Sequence, residues 1–241
     1  MTALVHAELL KLRTTRTFAA LAGAALSLSL LVVVLRTTMD SGLAAQDARS
    51  LFEGGITGLF VLLLGAIGAT GEWRHRTIAT SILAAPDRVR LLGAKMLSYA
   101  AAGVVLALIV TVACMLVGTL ILADSGQVTI GLVELDLLWR NLAIAALLGA
   151  LGVGVGALVR NQIVAVTGLL ILSLLLEPML PALVADVARF GPTVGAPSGI
   201  LGLDIGAGEL LAPGLALAVS IGWAAAAFAA AAARLRGRDL V

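Results

Sequence analysis

Charged residues along this chain fall in clusters separated by long apolar runs. Nineteen uncharged residues lie between Arg16 and Arg36, 18 between Glu53 and Glu72, 28 between Lys95 and Asp124, 19 between Arg140 and Arg160, and 24 between Glu209 and Arg234. Each run reaches or approaches the roughly 20 residues that a membrane-spanning helix needs. A sixth run, 161–176, has only 16 residues. At about 1.5 Å per residue it falls short of a ~30 Å hydrocarbon core, but 179–184 is apolar again, so the pattern continues past Glu177. The pattern predicts six spans at about 17–35, 54–71, 96–123, 141–159, 161–184 and 210–233. The 28-residue run predicts a third helix that is either tilted or overlong.

Composition names the solvent. Of 241 residues, 61% are hydrophobic and 12% charged, with a mean hydropathy of +1.10. Soluble domains carry roughly 25% charged residues. Here 16 basic and 14 acidic side chains cannot coat such a chain in water, so lipid must cover most of its surface. That excludes a soluble enzyme, a nucleic-acid-binding domain and a disordered segment. A net charge of +2 points away from nucleic acid as well.

Basic residues set the orientation. With the N-terminus in the cytoplasm, 12 Lys and Arg fall inside and 4 outside (Arg36, Arg49, Arg140 and Arg189). Both termini are then cytoplasmic. A cleavable signal sequence is the alternative at the N-terminus, but its 19-residue apolar run is longer than the 7–15 residues of a signal core.

Three segments outside the spans carry information. Residues 2–16 read TALVHAELLKLRTTR, with Leu4, Val5, Leu9 and Leu12 near helical spacing and Glu8, Lys11 and Arg13 between them. This predicts an amphipathic interfacial helix; the alternative is a solvated basic leader. Residues 72–95 read EWRHRTIATSILAAPDRVRLLGAK, the most charged stretch of the chain. Trp73 stands where an aromatic anchor belongs, and Thr77–Ala85 has room for a short helix stopped near Pro86. Such a loop is either a contact surface for a cytoplasmic partner or a topology-setting loop without one. Residues 177–209 hold short apolar pieces broken by Pro178, Pro181, Pro192 and Pro197. They leave and return on the same side, as re-entrant helices covered by protein or as a plain external loop.

Other chemistries find little support. The chain has no GxxxxGK[ST] phosphate loop. Gly152, Gly154 and Gly156 sit inside an apolar run with no strand before them. Gly152 and Gly156 are four apart and predict close helix packing, as do Gly54 with Gly58 and Gly65 with Ala69. His6 and His75 have no second ligand at metal spacing, so no metal site is expected. Cys114 is alone and reads as a small apolar filler; Ser27, Ser29 and Ser98 read as helix–helix hydrogen-bonding groups. Almost no ionisable group lies inside the spans, with Glu53, Glu177 and Glu209 at their outer margins, so nothing resembles a proton relay.

On these residues the chain resembles the permease subunits of ABC type-2 exporters over essentially its whole length. The opening HAELLKLRTTRT is similar to that family's interfacial helix. GEWRHRTIATSILAAPDRVRLLGAK is similar to its first cytoplasmic loop, which carries a coupling helix, although Arg76 stands where many relatives have Gly. GALGVGVGALVRNQ is similar to the end of the fourth span and the turn into the fifth, and the long segment before the last span is similar to its re-entrant helices.

The resemblance implies an all-α integral membrane fold, a single permease domain over 1–241. It would have six transmembrane helices, an N-terminal interfacial helix, a cytoplasmic coupling helix between spans two and three, and re-entrant helices before span six. It assigns Glu72, Arg74, Thr77 and Pro86 to the coupling loop, and with them Trp73, His75, Arg76 and Arg88 to the ATPase-coupling surface. It further implies a second permease subunit, the same or different, and two copies of a separate ATPase subunit that binds ATP and Mg. This chain then needs no cofactor of its own and has no catalytic residue. The expected activity is export of an amphipathic or hydrophobic solute across a bacterial plasma membrane. A secondary transporter and a membrane anchor without a pathway are the competing functions.

Overall fold

The computed structural model describes residues 1–39, 55–74, 87–123, 132–204, 206 and 209–236. Among them every regular element is helical. The elements are α1 (Thr2–Thr14), α2 (Arg16–Met39), α3 (Gly55–Arg74), α4 (Arg88–Ala123), α5 (Leu132–Val159), α6 (Gln162–Ile171), a π-helical stretch at Leu172–Leu176, α7 (Glu177–Leu183), α8 (Ala185–Ala188), α9 (Gly195–Leu201) and α10 (Pro213–Arg236). Six stretches are long and apolar enough to cross a membrane: Arg16–Thr37, Ile56–Arg74, Arg88–Ile121, Asp136–Val159, Gln162–Leu183 and Pro213–Arg236. The chain is a multi-pass membrane protein.

The helix ends differ from the charge-delimited ones where a charge has found a partner. Helix α4 starts at Arg88 rather than after Lys95, because the Asp87 carboxylate accepts the Val89 and Arg90 N–H groups, each at 3.1 Å, and caps it. Its 36 residues span about 54 Å, so the third helix is overlong. Helix α5 runs back through Arg140 to Leu132, because Arg140 pairs with Asp136 at 2.7 Å one turn away. The expected helix at 77–85 lies outside the described residues.

Helices α3 and α5 form the centre. In each, 56% of the apolar span is buried, against 11% for α2 and 22% for the fifth span. Lipid tails are as apolar as leucine, so close contact rather than water exclusion must hold the pair together. Gly152 and Gly156 lie on the face of α5 that meets α3. A β-carbon at Gly152 would overlap the Leu62 carbonyl oxygen, and one at Gly156 would stand 2.7 Å from the Ala66 carbonyl oxygen. Around this seam sit Val61, Leu62, Ala66 and Val153, all fully buried. Ser29 and Thr57 join α2 to α3 through their hydroxyls at 3.4 Å.

The turn from α5 into α6 is tight. Arg160 is left-handed, with φ 61, a conformation costing about 1–2 kcal/mol in a residue with a β-carbon. Its guanidinium lies 4.5 Å from the Trp73 ring centroid and donates to the Arg234 carbonyl at 3.1 Å, which holds it there. Asn161 then caps α6, accepting from Ile163 and Val164 N–H at 3.0 and 3.3 Å.

Candidate functional site

Helix α1 turns into α2 through the extended residue Thr15 and packs along α4. The leucine spacing sets Glu8 among the polar residues of α1, but the structure turns it inward. The buried face of α1 is Glu8 and Leu12, while Leu9 and Leu10 are exposed. Glu8 faces inward because α4 and α3 present charge to it. Lys95, 5% exposed, donates to Glu8 Oε2 at 2.6 Å and to Glu72 Oε1 at 2.9 Å. Lys11, half exposed, donates to Glu8 Oε1 at 2.6 Å and to Glu72 Oε1 at 3.1 Å. Two carboxylates and two ammonium groups thus form one neutral cluster joining α1, α3 and α4. Burial alone would raise the Glu8 carboxyl; the charge of Lys95 and the hydrogen bonds from Lys11 and Lys95 outweigh it and hold the group below its ordinary 4.5. Burial works against the charge on Lys11 too, but the hydrogen bond to Glu8 and the charge of Glu72 carry it above its ordinary 10.5.

The surrounding arginines close the same end of the bundle. Arg88 donates to the Leu235 carbonyl at 3.0 Å, Arg234 to the Leu158 carbonyl at 2.9 Å, and Arg74 to Gln162 Oε1 at 3.3 Å. The first two bonds satisfy carbonyls in the last turns of α10 and α5 and place cations at the negative ends of both helices. Of the residues expected to form a coupling surface, Glu72 is buried, Trp73 and Arg88 are half-buried and Arg74 is exposed. His75, Arg76, Thr77 and Pro86 lie outside the described residues. Arg13 is exposed on α1.

A second buried carboxylate lies toward the other end. Glu177 falls near the C-terminal end of the fifth candidate span and is 3% exposed. It accepts from Thr193 N–H at 2.9 and 3.1 Å, Thr193 Oγ1 at 2.6 Å, Val194 N–H at 2.6 Å and Gly195 N–H at 3.1 Å. These groups open α9, so a carboxylate from a distant segment caps that helix. The opposite end of α9 is capped by Arg140, which donates to the Ile200 carbonyl at 2.7 Å. A β-carbon at Gly191 would overlap Glu177 Oε2, so the loop closes around the carboxylate only with glycine there.

Reading the chain as spans and loops missed Lys95, Arg140 and the role of Glu177. Lys95 and Arg140 served only as span boundaries in that reading. A signal did exist: Lys95 stands among Leu91, Leu92, Ala94 and Met96, and a lone ammonium there must find a partner or reach the surface. No protein-family model matches the chain, and no curated protein matches it significantly.

Proposed function

We propose that this protein is the transmembrane subunit of an ABC exporter, a permease that moves an amphipathic or hydrophobic solute out of the cytoplasm with ATP hydrolysed on a separate subunit. The observation that carries the reading is the cluster of buried Glu8, Glu72 and Lys95 with the half-exposed Lys11. Helices α3 and α4 flank the segment 75–86, and the Glu72–Lys95 pair ties them together at its edge. A push on that segment reaches both spans and α1 as one body. The closed ATPase dimer supplies the differential affinity that drives the change.

Two further features support the reading. Helix α1 is a separate helix whose exposed leucines suit an interfacial position, with the N-terminus on the basic, cytoplasmic side. The segment before α10 fits a re-entrant course: Trp223, ten residues into α10, donates to the Phe190 carbonyl at 2.8 Å. That bond puts Phe190 about 15 Å along the helix from its start. In this reading two such subunits, alike or different, enclose the pathway, each gripped by one ATPase in a bacterial plasma membrane.

Purification of the tagged protein from its native membrane tests the idea. A stoichiometric ATPase is expected with it, and its hydrolysis should lose solute stimulation in Glu72→Ala and Arg74→Ala. Isolation without an ATPase favours an anchor or a secondary transporter. Wild-type stimulation in both variants removes the coupling role of these residues.

A further inference from the structure

Beside the charge cluster, a cavity of about 390 Å³ opens between α1, α2, α3, α4 and the start of α6. That volume lies within the range of small-molecule sites. Its lining is partly apolar, with Leu12, Phe18, Leu64 and Ile67, and partly polar, with Lys11, Glu72, Arg74, Lys95, Tyr99 and Gln162, and Glu8 beside them.

The polar lining has donors to spare. The two lysines and Arg74 exceed Glu8 and Glu72 by one positive charge. Lys11 and Lys95 each engage two carboxylates with three N–H protons, leaving one proton apiece. Tyr99 is 7% exposed, lines the cavity, and its hydroxyl makes no hydrogen bond among the described residues. The hydroxyl lies against Gly68, another wall residue, where a β-carbon would overlap it. The hydroxyl is thus open to the cavity, and an acceptor delivered from outside can reach it.

We infer that this cavity binds the phosphate group of a membrane phospholipid, with the acyl chains leaving along Phe18, Leu64 and Ile67. Lys11, Arg74 and the Tyr99 hydroxyl donate to the phosphate oxygens, and the surplus positive charge matches the anion. A phospholipid is favoured over a free anion because apolar side chains line the cavity together with the polar ones, and because the cavity lies where α1 turns into the first span. Basic pockets between spans are a recurrent way of holding anionic headgroups. The site is independent of the transport reading: a protein without an ATPase partner keeps it.

Thermal unfolding of the full chain in detergent micelles tests the inference, with phosphatidylglycerol, diacylglycerol or inorganic phosphate titrated in. Phosphatidylglycerol should raise the unfolding temperature saturably, while diacylglycerol and inorganic phosphate should not. Arg74→Gln with Tyr99→Phe should raise the half-saturating phosphatidylglycerol concentration about tenfold or more, the loss expected from one or two hydrogen bonds to a charged group. Ile67→Trp fills the cavity from its apolar lining without touching an ion pair and should do the same if the double variant does not fold. Unchanged half-saturation in the variants overturns the site. Equal stabilisation by diacylglycerol overturns phosphate recognition, and equal stabilisation by inorganic phosphate replaces the lipid with a free anion.

Discussion

Glu8 and Glu177 are buried to the same degree, each 3% exposed, yet their carboxylates face different partners. Glu8 meets the ammonium groups of Lys11 and Lys95, carried on flexible side chains from two helices. Glu177 meets the amides of three consecutive residues and one hydroxyl, all from a single loop. In the first case charge cancels charge, and every member depends on side chains held by other helices. In the second the backbone supplies the donors, so the loop takes its shape around the acid. A cluster of the first kind suits joints between elements that move together. A knot of the second kind suits a segment that must stay where it is.

Substitution at Lys95 should give the largest effect. Lys95→Met leaves Glu8 and Glu72 side by side without their buried counter-charge and should cost about 3–5 kcal/mol, measured by denaturant titration in micelles. Adding Glu8→Leu and Glu72→Leu should recover most of that, since a well-packed apolar replacement of a buried ion cluster is close to neutral. A loss from Lys95→Met that the added leucines leave unchanged would show that the cost lies in packing rather than charge.

Glu177→Leu should cost about 2–3 kcal/mol, by stranding the N–H groups of Thr193, Val194 and Gly195. No second substitution repairs it, because the orphaned donors are backbone. Recovery through any single side-chain change nearby would erase the contrast with Glu8.

Acid and base act on the first region through its charges. The folded Glu8 carboxyl lies below 4.5, so its contribution is present above 4.5 and is lost as pH falls through that lower folded value. Lys11 lies above 10.5 when folded, so its contribution is present below 10.5 and is lost as pH rises through the folded value. Protection factors of the α1 amides, with the intrinsic pH dependence of exchange divided out, should therefore be flat between the two limits and fall beyond each. A fall in protection near neutral pH contradicts the cluster. The smallest change is expected from Trp223→Phe, which removes one hydrogen bond to Phe190, about 1 kcal/mol, and should show as faster exchange around Phe190 with α1 unaffected.

Much of the architecture was legible from residue order. The charge-free runs placed six helices within a few residues of their ends wherever the flanking charges point to the surface, as at Arg16 and Arg234. They failed at Lys95 and Arg140, where a charge inside a helix has found partners: Glu8 and Glu72 from other helices for Lys95, and Asp136 one turn away with the Ile200 carbonyl for Arg140. The spacing of Gly152 and Gly156 marked a packing face, yet did not say that α3 is the helix it meets. The spacing in α1 likewise marked a helix, yet did not say that Glu8 meets Lys95 of α4.

Helix number, length and apolarity are local properties, since each follows from a single run of residues and the thickness of a hydrocarbon layer. Partnership is not local. Glu8 and Lys95 are 87 positions apart, and Lys95 and Glu72 are 23 apart. Nothing in either neighbourhood names the other, because a charge looks alike in sequence whether water or a buried counter-ion receives it. Packing removed the water from Glu8, Glu72 and Lys95, and with it the choice of partner was made.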